Sequence, residues 1–139
     1  MQLIRRLART VFAAAALGGI LVASVEAQSL SPMRKDGTTP TDIKGFRLTV
    51  GNPYDQRMTF VMTPMEPGFE IVAGEASVTP ALLTLAPGES RQVILAFRIP
   101  EPEGERTIGL CITPRDIEGP ILPRVCGTYS GTLLIRARG

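Results

Sequence analysis

Alternation with a period of two, broken every few residues by proline or glycine, constrains this chain more than any other feature. Phe46, Leu48 and Val50 alternate with Arg47 and Thr49 until Gly51-Asn52-Pro53 ends the run. Met58, Phe60 and Met62 alternate with Thr59, Val61 and Thr63 and stop at Pro64. Val93, Leu95, Phe97 and Ile99 alternate with Gln92, Ile94, Ala96 and Arg98. Successive side chains of an extended strand point to opposite faces, so this pattern describes strands with one buried face. Residues 69–72, 107–113 and 128–136 read as further strands. No stretch of about eleven residues carries the spacing of an amphipathic helix. About seven short strands in roughly 110 residues predict a single all-β domain, an immunoglobulin-like antiparallel β-sandwich.

Residues 76–99 test that reading, because Thr79-Pro80 interrupts an otherwise strand-like segment. Proline has no N–H for a ladder, so this segment is expected on a sheet edge or at a change of sheet. Ala86-Pro87-Gly88-Glu89 then supplies the turn into the strand over 92–99.

The N-terminus has a separate character. Arg5, Arg6 and Arg9 precede an uncharged, mostly apolar run from Thr10 to Val25, and Val25-Glu26-Ala27 has the small-residue pattern of a cleavage site. The run is shorter than the about 20 residues that span a bilayer. Residues 1–27 are therefore expected to be a secretory signal peptide cut after Ala27, leaving 28–139 as one periplasmic domain with no stable membrane insertion. Without Arg5, Arg6, Arg9 and Glu26, the 15 basic and 13 acidic residues become twelve of each, a net charge of zero. The apparent basicity belongs to the leader, and nothing in the charge points to nucleic acid.

Cys111 and Cys126 are the only cysteines. An even count in a chain bound for an oxidising compartment reads as a disulfide. The intervening segment is rich in proline, so the bridge is expected to join two neighbouring strands rather than two sheets. Catalysis is not expected. The chain has no histidine to activate a serine or cysteine nucleophile. No phosphate-binding glycine loop or paired-carboxylate motif stands out, and no cofactor or metal is expected. The methionines at 33, 58, 62 and 65 could suggest a soft-metal thioether site, but Met58 and Met62 share a face with Phe60 and read as core. Asp116 and Glu118 read as a solvated loop.

Val78-Thr79-Pro80, Leu82, Leu83 and Leu85, followed by Ala86-Pro87-Gly88-Glu89-Ser90 and an alternating strand, resemble the N-terminal domain of PapD-like periplasmic pilus chaperones. Leu30-Ser31-Pro32-Met33-Arg34 resembles that family's first strand, and Leu48 to Pro53 its second strand and turn. Glu105-Arg106-Thr107 resembles the arginine-bearing loop before the sixth strand. The resemblance implies a protein partner, a pilin-like subunit, bound by β-strand pairing. It implies that Arg34 anchors the partner's carboxylate and that Tyr129, Leu133 and Ile135 of the last strand contact the partner. It also implies the pairing of Cys111 with Cys126. The alternative from the same fold is a structural or adhesive subunit of a cell-envelope assembly.

Overall fold

A computed structural model of the protein describes residues 28–134 except 118, 120 and 121, together with Gly19 upstream. Apart from Gly19, the leader expected over residues 1–27 lies outside the described residues, as do Glu118 and Ile135. Nine strands follow in order: β1 (Ser29–Ser31), β2 (Arg34–Thr39), β3 (Ile43–Gly51), β4 (Met58–Met65), β5 (Ala76–Thr79), β6 (Leu82–Leu85), β7 (Ser90–Arg98), β8 (Glu105–Pro114) and β9 (Val125–Leu133). They form two sheets, with orders β1-β3-β7-β5 and β2-β9-β8-β4-β6. Every pairing is antiparallel except β2 with β9, which run parallel. The fold is the expected immunoglobulin-like sandwich.

The alternating residues fill the space between the sheets. Phe46, Leu48 and Val50 of β3 and Val93, Leu95 and Phe97 of β7 meet Phe60 and Met62 of β4, Ile108, Leu110 and Ile112 of β8 and Tyr129 of β9. All are buried. Each such side chain contributes roughly 1.5–3 kcal/mol on leaving water, which explains why the inward register is fixed. Met58 and Met62 belong to this core, while Met33 is exposed between β1 and β2.

The strand count exceeds the expected seven because two segments change sheets. At Ser31-Pro32 the chain leaves the four-stranded sheet as β1 and enters the five-stranded sheet as β2. At Thr79-Pro80 it does the same as β5 and β6, on the opposite side of the sandwich. Both prolyl bonds are cis. The proline at 80 thus sits where its sequence position placed it, at an edge and at a change of sheet. The turn after β6 has the expected form. Glu89 N–H donates to the Ala86 carbonyl at 3.0 Å, and Gly88 adopts a φ of 72°. A type II turn requires that left-handed conformation at its third residue, which glycine adopts without steric cost.

Residues 69–72 correct the sequence reading, since they form no strand. Gly68 and Phe69 have φ of 95° and 59°, and Glu66 N–H donates to the Ile71 carbonyl at 2.7 Å. The segment is a tight reversal that folds back on the end of β4, with one bridge between Met65 and Val72. Its apolar residues suggested a strand, but the Pro67-Gly68 turn chemistry prevails. Arg106 holds this loop by donating to the Gly74 carbonyl at 2.7 Å and pairing with Glu66 at 3.1 Å.

A candidate partner-binding edge

The parallel pairing of β2 on β9 leaves one side of β2 open. The Met33 and Thr39 carbonyls accept from Thr128 and Leu134 N–H, each at 2.8 Å. In a parallel ladder, alternate residues of a strand direct both peptide groups to the same neighbour. Lys35 and Gly37 share the phase of Met33 and Thr39, so they face β9. Arg34, Asp36 and Thr38 consequently turn their N–H and C=O groups to the open side, where β2 ends the sheet. Three unpaired peptide units in a row are a template for an added strand.

Arg34, Asp36 and Thr38 also project exposed side chains from the outer face. Among the described residues no carboxylate lies within ion-pair distance of Arg34. In register, Arg34 stands beside Thr128 of β9. The expected partner-contacting arginine therefore lies at the start of the free edge.

Tyr129 supports this edge from within. Its side chain is wholly buried, its ring centroid is 5.9 Å from that of Phe46, and its hydroxyl donates to the Pro32 carbonyl at 2.6 Å. Burial pushes its phenol up to about 12. The bond fixes the point where the chain changes sheets and β2 begins. Leu133, at the far end of β9, packs partly buried against the core. With Pro40, Ile99 and Pro100 it lines a surface hollow of about 500 Å³, rimmed by the Asp42–Arg98 ion pair at 3.2 Å.

Cys111 and Cys126 are bonded and stand directly opposite in the β8–β9 register, with Cα atoms 4.1 Å apart. As expected, the bridge joins neighbouring strands of one sheet. It lies two residues before Thr128, where β2 joins β9.

Three residues outside the expected site, Lys44, Gly37 and Gly131, shape it. Lys44 lies on the inner face of β3, in phase with Phe46 and Leu48. Its stem runs beneath Gly131 of β9 and then Gly37 of β2, which are paired in register. A methyl group at Gly37 would lie 2.8 Å from Lys44 Cε and 3.1 Å from Nζ, and one at Gly131 would lie 3.0 Å from Cγ. The two glycines thus form a slot for the lysine. The ammonium emerges beneath β2, 4.8 Å from the centroid of the Phe46 ring. The signal in the sequence was Gly131 itself, which breaks the alternation of Tyr129 and Leu133.

Solved structures share this fold. They include the E. coli chaperone DraB, with a TM-score of 0.61 and 19% identity, covering 77% of this chain and 55% of that one. The Salmonella enterica SafA pilin in complex with the SafB chaperone matches at 0.62 and 18% identity, covering 81% and 57%. The PapD-like domain 7 of human CEP192 matches at 0.57 and 12% identity, covering 78% and 85%. The chain spans little more than half the length of the chaperone structures it matches. No family model matches the sequence, and no curated protein does. The chain therefore has the PapD-like fold of fimbrial chaperones. That fold also occurs in a domain of a human protein, so the site rather than the fold must carry a functional assignment.

Proposed function

We propose that the protein is a periplasmic protein-binding module that takes up an extended segment of a partner as an added strand on β2, as a fimbrial assembly chaperone would. The observation that carries this reading is the open edge of β2, with three outward peptide units and an uncompensated arginine at its start. Main-chain bonds to such an edge supply affinity, and side chains alongside supply selectivity. Arg34 contacts the partner; Tyr129 and Leu133, expected at the partner from the resemblance, instead hold β9, since Tyr129 is wholly buried and β2 covers the edge of β9. The fold shared with chaperones of pilins supports the partner class, and the leader expected over residues 1–27 supports the compartment. Binding rather than catalysis follows from a site made of strand edges and charge.

A second reading rests on the opposite edge of the same sheet. There β6 exposes Leu82 and leaves the peptide groups of Leu82 and Thr84 unpaired. An uncharged edge favours self-pairing, as in a structural subunit. Native capture from periplasm with mass spectrometry separates the two. A one-to-one complex with a second protein is expected, and it is lost in Asp36→Pro, which removes an outward N–H while leaving the β9 ladder intact. Homopolymers that persist in Asp36→Pro and contain no second protein would establish the structural reading instead.

A further inference from the structure

The ammonium of Lys44 occupies an unusual position for a surface charge. The lysine starts on the inner face of one sheet and crosses between the layers. It surfaces only beneath the outermost strand of the other sheet. Among the described residues no carboxylate lies within ion-pair distance of it. A lysine that merely needed solvation would reach water from an outward position without a slot. Here Gly37 and Gly131, paired across β2 and β9, keep the passage open.

The space beyond Gly37 is where an added strand would lie. Neighbouring strands are about 4.8 Å apart, and every second side chain of the newcomer would point inward. An inward side chain opposite Gly37 would meet no Cβ on β2. It would meet the ammonium, 3.1 Å from where that Cβ would stand. On the other wall of the seam, β3 has no strand beside residues 43–48, because β1 pairs only with Thr49, Val50 and Gly51. Lys35 on β2, in phase with Gly37, adds positive charge on the same face, while Asp36 projects from the outer face.

We infer that Lys44 is a specificity-determining residue that selects an extended partner segment bearing an acidic side chain opposite Gly37. This rests on the reading of β2 as the docking edge and names the chemistry that edge prefers. The carboxylate of a glutamate would accept from the ammonium beneath the edge strand, in partial shelter from solvent. Charge-assisted bonds are there about twice as strong as neutral ones. A glutamine at the same place would lose the charge and retain the shape.

The test uses the full chain and three acetylated, amidated eleven-residue peptides of alternating threonine and valine. Their central residue is glutamate, glutamine or lysine, and binding is read by fluorescence anisotropy. The glutamate peptide is expected to bind about tenfold tighter than the glutamine peptide, and the lysine peptide weakest. Lys44→Met keeps the stem in its slot and should erase the preference. Gly37→Ala should reduce it by displacing the flexible end of Lys44 while leaving the charge in the protein. Arg57→Gln, which removes an exposed charge from the loop between β3 and β4, should preserve it. Equal binding of the glutamate and glutamine peptides, abolished alike by Asp36→Pro, would overturn the assignment to Lys44 and leave strand addition standing. Failure of every peptide to bind the wild-type protein would overturn both.

Discussion

The five-stranded sheet ends in two edges made the same way and finished differently. Each edge strand, β2 and β6, is the second half of a segment that changes sheets at a proline. β2 is six residues long, carries the sequence RKDGTT and turns three peptide units outward. β6 is four residues long, carries LLTL and turns two outward. Natural sheets protect their edges with charge or with brevity. β2 relies on charge and β6 on brevity. A long charged edge rejects nonspecific strands yet accepts one with complementary charge. The short neutral edge offers too few bonds to hold anything selectively. On the proposed reading, selectivity belongs to the side of the sandwich where Lys44 and Arg34 stand.

That contrast can be broken from several directions. The largest effect on stability is expected from replacing Cys111 and Cys126 together with alanine. Losing a bridge that closes about 15 residues costs about 3 kcal/mol, read as a shift in the urea midpoint. Because the bridge sits beside the start of the β2–β9 pairing, β2 should fray before β6. Asn52→Ala should have the opposite polarity. The Asn52 amide donates to the Gln56 and Leu85 carbonyls at 2.9 and 3.0 Å. Its backbone N–H donates to the Glu89 carbonyl and its carbonyl accepts from Gly88 N–H, which ties it to the turn after β6. Removing the amide deprives the buried Leu85 carbonyl of a donor, at about 2 kcal/mol, and should loosen β6 while sparing partner capture.

Tyr129→Phe should cost less, about 1 kcal/mol for the bond to Pro32, and should move the entry to β2. It also has a signature in pH. Burial raises the Tyr129 phenol from 10 to about 12, so folding favours its neutral form. Its contribution is complete below pH 10 and disappears as pH rises through about 12. Alkaline denaturation of the wild type should therefore steepen between those values, and the phenylalanine variant should lack that component. The smallest effect is expected for Leu82→Lys, which adds charge to the β6 edge. Its stability should change by no more than about 0.5 kcal/mol, with partner capture unaltered. Loss of capture there would transfer the binding role to β6.

The scaffold was legible in the sequence wherever a single strand kept one face. Phe46 to Val50, Met58 to Met62 and Val93 to Ile99 all bury the residues their alternation marked. Thr79-Pro80 was legible because proline restricts a ladder locally. The equivalent change at Pro32 was not read, since β1 is only three residues long and carries too little pattern. Residues 69–72 were misread because apolar content outweighed the Pro67-Gly68 turn. The seam was illegible for a different reason. Lys44 looks like an ordinary polar residue before the apolar run, and Gly131 like a defect in one. Only the register that places Gly131 beside Gly37 shows that the lysine needs both. Arg34 could be placed from the resemblance, but its position on an open edge follows from the parallel pairing with β9, which no local pattern encodes.

Amide hydrogen exchange of the captured complex bears on all of this at once. The outward N–H groups of Arg34, Asp36 and Thr38 should exchange quickly in the free protein and become strongly protected when the partner is bound. Those of Leu82 and Thr84 should exchange at the same rate in both states. Protection appearing at Leu82 and Thr84, with β2 unchanged, would contradict strand addition on β2.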